Sequence, residues 1–127
     1  MTRPVVLFID DQPSARQLFM RLLDPQRFEP VVADGVTAAE SFIAKRMPDL
    51  VITDLRMPGV DGMTGMERYL AIDPELPVVV CSGYGSTAID EQVGRDSVTR
   101  FLEKPFRMHD LLAALRSVLR ESGSRRE

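Results

Sequence analysis

Asp10, Asp11, Asp54, Ser82 and Lys104 are the residues whose types and places could combine into chemistry. Each lies at or just past the end of a short apolar run: residues 4–9, 50–53, 77–81 and 98–102. Two adjacent acids at a strand end are costly when buried without a partner, so they call for a cation. Asp54 adds a third carboxylate, followed at once by a turn-rich loop with Pro58, Gly59 and Gly62. Three carboxylates gathered at one place repel one another, and a hard divalent cation offsets that repulsion. Mg²⁺ suits a site with few carboxylates, retained waters and a phosphoryl ligand. Lys104 offers a mobile point charge for a phosphoryl oxygen, and Ser82 a hydroxyl donor. Together these are the parts of an in-line phosphoryl transfer onto an aspartate. Each also has a plainer reading: Asp10 or Asp11 as a cap of the next helix, Ser82 as a turn hydroxyl, Lys104 as a solvated surface lysine.

The elements that must bring these residues together alternate regularly. A strand over 4–9 precedes a helix that starts at Pro13, a residue suited to a first helical turn. Ala15, Leu18, Phe19, Leu22 and Leu23 form its apolar stripe, and Asp24-Pro25 stops it. A weaker strand over 29–33 leads through Asp34-Gly35 to a helix over 37–46, with Ala39, Phe42 and Ile43 inward. After the strand feeding Asp54, a helix over 62–73 carries Met63, Met66 and Leu70 on one face. A short helix over 87–93 and a final amphipathic helix marked by Leu111, Leu112, Leu115, Val118 and Leu119 complete the pattern. Strands alternating with helices, several of them apolar throughout, imply a parallel sheet covered on both faces. The expected fold is α/β: a flavodoxin-like, doubly wound, five-stranded parallel sheet of order 2-1-3-4-5 with five helices. In such a sheet the carboxyl ends of the strands share one edge, where ligands bind.

Composition narrows the function further. At 127 residues this is one domain with its own core: residues 1–120 as the folded unit, and 121–127 as a polar tail or the start of a linker. A net charge of −3 supplies no broad basic field for nucleic acid. Cys81, the single cysteine, lies in an apolar run and reads as a small core residue in a reducing compartment. With no apolar run of membrane length and no signal-peptide pattern, the expected location is cytoplasmic. His109, at the start of the last helix, reads as solvent-facing and without a role.

Taken in order, Asp10-Asp11, Asp54 with Met57-Pro58 and Gly62, Ser82-Gly83, and Phe101 with Lys104-Pro105 resemble the motifs of response-regulator receiver domains. These are the chemotaxis-regulator-like modules of two-component signalling, and the resemblance covers about residues 4 to 119. It implies that Asp54 is the phosphoacceptor, taking a phosphoryl group from a sensor histidine kinase or a histidine phosphotransfer protein. Asp11, Asp54 and the backbone carbonyl of Arg56 would hold Mg²⁺, and Asp10 would act through a metal-bound water. Lys104 would pair with Asp54 and then with the phosphoryl group. Ser82 would move to a phosphoryl oxygen while Phe101 turns inward. Gly83, Tyr84, Met57 and Pro105 would flank the site, with the bond before Pro105 cis. The readout would be the surface of the fourth helix, fifth strand and fifth helix, facing an unknown output domain or protein, with a phosphorylation-dependent dimer compatible with that surface. The expected role is signalling, not turnover of a substrate. Two other readings stand beside it: a pseudo-receiver that binds partners without phosphorylation, and a phosphatase of the haloacid dehalogenase type. The latter calls for Asp-x-Asp after the first strand, where this chain has Asp10-Asp11-Gln12.

Overall fold

The computed structural model describes residues 3–54, 62–82, 100–103 and 107–122. Strands β1 (Val5–Ile9), β2 (Glu29–Ala33), β3 (Leu50–Asp54), β4 (Val78–Ser82) and β5 (Arg100–Glu103) form one sheet of order β2-β1-β3-β4-β5. Every adjacent pair is parallel. The described helices are α1 (Pro13–Leu22), α2 (Val36–Lys45), α3 (Gly62–Ile72) and, at the end of the chain, α4 (Met108–Ser122). The short helix expected over 87–93 lies outside the described residues. No described helix is long and apolar enough to cross a membrane.

The sheet explains why its central strands are apolar without alternation. Leu7, Ile9, Val51, Val78 and Val80 point into one core with Ala39, Ile43 and Tyr69 from α2 and α3. The residues between them, Val6, Phe8, Leu50, Ile52, Val79 and Cys81, join Phe19, Leu23, Leu111, Leu115 and Val118 in a second core on the opposite face. Both faces are therefore dry, as helix-covered parallel sheets require. Phe8 and Phe19 stack across the second core with ring centroids 4.5 Å apart. Cys81 is buried there, in the place expected of it.

β2 is an edge strand, and it is the only one with an exposed residue among those whose side chains are described throughout. The Glu29 N–H donates to Pro4 O, and Ala33 O accepts from the Asp10 N–H. Parallel pairing then turns Pro30 and Val32 toward the open edge. Proline there removes one of the outward donors and blunts the edge as a template for another strand.

One expectation needs correction. Leu18 was expected in the apolar stripe of α1 but is 54% exposed. At about 100° per residue, Leu18 stands a full step round the helix from Phe19, which faces the core squarely. On α3, Leu70 packs partly buried against the first core, as its place in the stripe implies, beside the fully buried Tyr69. The side chains of Met63 and Met66 lie outside the described residues.

Helix boundaries moved by a residue or two for local reasons. α1 has Pro13 in its first turn, and Leu23 ends it by turning extended and burying its side chain. α2 starts at Val36, directly after Gly35. α4 is capped by Asp110, whose carboxylate accepts the Arg107 N–H at 3.0 Å. His109 is exposed beside it, as expected.

Gly65 on α3 sits close against Val36, the first residue of α2. A Cβ there would lie 2.8 Å from Val36 Cγ2 and 3.0 Å from the Tyr69 hydroxyl. Gly65→Ala is expected to destabilise by about 1–2 kcal/mol, because overpacking outweighs the roughly 1 kcal/mol gained in helix propensity. Urea denaturation measures it; a stabilised variant would show that the helices part at no cost.

Near the amino ends of the strands, Glu29 accepts both Arg46 Nη1 and Nη2, at 2.5 and 2.9 Å. That bond, with the Arg46 charge, holds the Glu29 carboxyl below its ordinary range. A depressed folded pKa contributes stability above the unfolded value and loses it as pH falls through the folded one. The stability difference between the parent and Glu29→Gln should therefore be level near neutrality and shrink toward zero in acid. Chemical denaturation across that pH range tests it, and a difference that grows in acid would contradict the pairing.

Candidate acidic site at the carboxyl ends of the strands

β1 and β3 are neighbours, with Ile9 opposite Thr53. The next residue on each strand is Asp10 and Asp54, so the parallel register delivers both acids to the same edge. Asp11 follows in the turn into α1. One carboxylate oxygen from each of Asp10, Asp11 and Asp54 lies within 4.8 Å of the others. This is the crevice outside the carboxyl ends of the strands, beside the point where chain order reverses between β1 and β3.

The acids differ in setting. Asp10 is fully buried, while Asp11 and Asp54 are half-buried. The Asp10 N–H donates to Ala33 O at 3.1 Å. Its Oδ1 accepts the Gln12 N–H at 2.9 Å, and its carbonyl accepts Arg16 Nη1 at 2.8 Å. Asp10 does not cap α1: its oxygen holds the turn at Gln12, the N-cap residue, which itself offers no side-chain bond to the helix. Thr53, buried between the strands, donates its hydroxyl to Asp54 O at 3.1 Å.

A divalent cation fits this donor set. All the donors are hard carboxylate oxygens, and Mg²⁺ places opposed ligands about 4.2 Å apart. A span of up to 4.8 Å is reached when one acid binds through water. Bound there, the ion would neutralise charge that builds on a phosphoryl group.

Asp54 pairs with Cys81 in the register of β3 and β4, so the backbone of Ser82 is one step beyond, at the adjacent strand end. Ser82 is in turn opposite Glu103, the last residue of β5. Phe101 lies in β5 opposite Val80. The side chains of Ser82 and Phe101, and all of Arg56, Met57, Gly83, Tyr84, Lys104 and Pro105, lie outside the described residues. The sequence reading brought together Asp10, Asp11 and Asp54, and the structure does the same. It missed Thr53, Gln12 and Arg16. A basic residue on α1 one turn after Gln12 carries no pattern of its own, and its bond to a backbone carbonyl is visible only in three dimensions.

Fold and site define a doubly wound α/β protein with an acidic, cation-ready crevice at the strand ends. The sequence model of the response regulator receiver domain matches residues 6–116. The chain belongs to that family, and it is a receiver domain of two-component signalling. It is 35% identical to the C4-dicarboxylate transport transcriptional regulatory protein DctD of Pseudomonas aeruginosa, over 90% of this chain and 25% of that one. It is 28% identical to sporulation initiation phosphotransferase F of Bacillus subtilis, over 94% of this chain and 96% of that one. The chain therefore spans a quarter of the first relative and nearly all of the second. The signal receiver domain of an HD domain-containing protein from Pseudomonas fluorescens superposes with a TM-score of 0.87 at 29% identity, covering 97% of this chain and 99% of that one.

Proposed function

We propose that Asp54 is the phosphoacceptor of a two-component phosphorelay, with Mg²⁺ as cofactor. The observation that carries this reading is the convergence of Asp10, Asp11 and Asp54 within 4.8 Å in a receiver-family chain. Asp11, Asp54 and the Arg56 carbonyl would hold the ion, and Asp10 would act through water. An Asp54 carboxylate oxygen attacks the phosphorus of a phosphohistidine on a sensor kinase or phosphotransfer protein. A P–O bond forms, the P–N bond breaks, and its electron pair stays on the imidazole nitrogen. Lys104 steadies the transferred group, and Ser82 donates to one of its oxygens. Phe101 fills the space that Ser82 leaves, which biases a two-state surface toward an output domain or protein. Gly83, Tyr84, Met57 and Pro105 would flank the site. Family membership favours this reading over a hydrolase. The chain acts as a switch whose only chemistry is its own phosphorylation and dephosphorylation.

The test is intact mass after incubation with acetyl phosphate, with and without Mg²⁺, followed by peptide mapping. One added phosphoryl group, dependent on Mg²⁺ and mapped to Asp54, is expected. Neither an adduct nor a beryllofluoride-induced spectral change would leave the pseudo-receiver reading in its place.

A further inference from the structure

We infer that Arg16 is a positioning residue for the divalent-cation site, acting through the peptide that joins Asp10 to Asp11. The inference rests on the reading that these acids bind Mg²⁺. The carbonyl that accepts Arg16 Nη1 at 2.8 Å belongs to Asp10, so it lies in the peptide plane between the two acids. Rotating that plane swings the Cα–Cβ bond of Asp11 relative to Asp10. A hydrogen bond that fixes the carbonyl therefore fixes how the two carboxylates stand to each other. Arg16 ties this turn twice, since its backbone N–H also closes the first turn of α1 on Gln12 O at 3.2 Å. The helix needs that help, because its N-cap supplies no side-chain bond and its first turn no acid.

The choice of arginine is physical. Its planar fork is pre-organised and loses less freedom per bond than lysine. With Pro13, Gln17, Met20 and Val32, Arg16 lines an open groove of about 250 Å³. A replacement there meets solvent and leaves both cores intact, so variants should fold.

Charge and position predict opposite signs. As a charge alone, Arg16 brings a positive group to the Asp10 carbonyl beside the site and competes with the cation, so removing it should tighten Mg²⁺ binding. As a positioning group, its loss frees the Asp10–Asp11 peptide and weakens binding by about 10-fold, the usual scale for groups that orient metal ligands. Calorimetric titration with MgCl₂ at fixed ionic strength separates the two, using the parent, Arg16→Met, Arg16→Gln, Arg16→Lys and Asp11→Asn, each with its melting curve. About 10-fold weaker binding in the folded neutral variants, with Arg16→Lys recovering part, is the expected result. Arg16→Gln carries the test if Arg16→Met does not fold. Equal or tighter binding in the neutral variants would overturn the role of Arg16 and leave the metal reading standing. A parent that binds no Mg²⁺, or binds it as well after Asp11→Asn, would overturn both.

Discussion

Asp54→Asn is expected to take up no phosphoryl group from acetyl phosphate while melting at a higher temperature than the parent in the absence of Mg²⁺. The amide matches the carboxylate in shape, so packing at the end of β3 is kept. It lacks the anionic oxygen that attacks phosphorus, so uptake should fall below detection, a loss of at least about 100-fold. The stability change comes from the same atoms. Carboxylate oxygens within 4.8 Å of one another repel with an energy that depends on the local dielectric. For a half-buried group facing water, the relief on neutralising one acid is about 1 kcal/mol at low salt. In a domain of this size that raises the melting temperature by roughly 4 °C. Mg²⁺ should then narrow the gap, because it stabilises the parent by about 1.4 kcal/mol at ten times its dissociation constant and the variant less. Mass spectrometry and calorimetric melting, each with and without Mg²⁺, provide the two readings. A variant that still gains the adduct would move the acceptor elsewhere. One that melts lower would mean that Asp54 is held by structure more than it is repelled by its neighbours.

This opposition of function and stability explains why the site was legible in the sequence. Three acids placed after apolar strands are hard to justify as packing, so they stand out from residue types alone. The sheet order supplied the rest, since β1 and β3 must be neighbours for Asp10 and Asp54 to meet. The central strands were legible for a related reason: burial on both faces leaves a continuous apolar run with firm ends. Even the weaker β2 matched at Glu29–Ala33, its edge position showing as a polar start and a proline. What periodicity could not supply was the width of a buried stripe. Leu18 fits the spacing of α1 and still faces solvent, because the sheet meets that helix along a narrow line through Phe19 and Leu23. Arg16 was hidden for a different reason. Its partner is a backbone carbonyl, and only the path of the turn from β1 into α1 brings the two together.

Tyr69 was the least legible of the core residues, and it carries the largest expected change in stability. Its spacing from Met66 is helical, but a tyrosine more often keeps its hydroxyl in water. Here the side chain is fully buried between α3 and the sheet, and its hydroxyl has no hydrogen-bond partner among the described residues. Truncation by Tyr69→Ala should cost about 3–5 kcal/mol and lower the melting temperature by roughly 10–15 °C, because the ring fills the core it shares with Val36, with Gly65 close against its hydroxyl end. Tyr69→Phe should do the reverse. It keeps the ring and removes a polar atom that was dehydrated without compensation, so the gain is up to about 1 kcal/mol. The pH dependence separates this account from simple repacking. Burial, reinforced by the nearby Glu40 charge, pushes the Tyr69 phenol above its ordinary value. A raised folded pKa means that stability is fully present below the unfolded value, about 10, and is lost as pH climbs toward the folded one. The parent should therefore weaken in strong base relative to Tyr69→Phe, with a slope approaching 1.4 kcal/mol per pH unit. Tyr84 cancels from the comparison because both proteins contain it. Denaturation at neutral and alkaline pH measures the difference. A Tyr69→Phe variant less stable than the parent at neutral pH, or a difference that ignores alkali, would show that the hydroxyl is satisfied in solution.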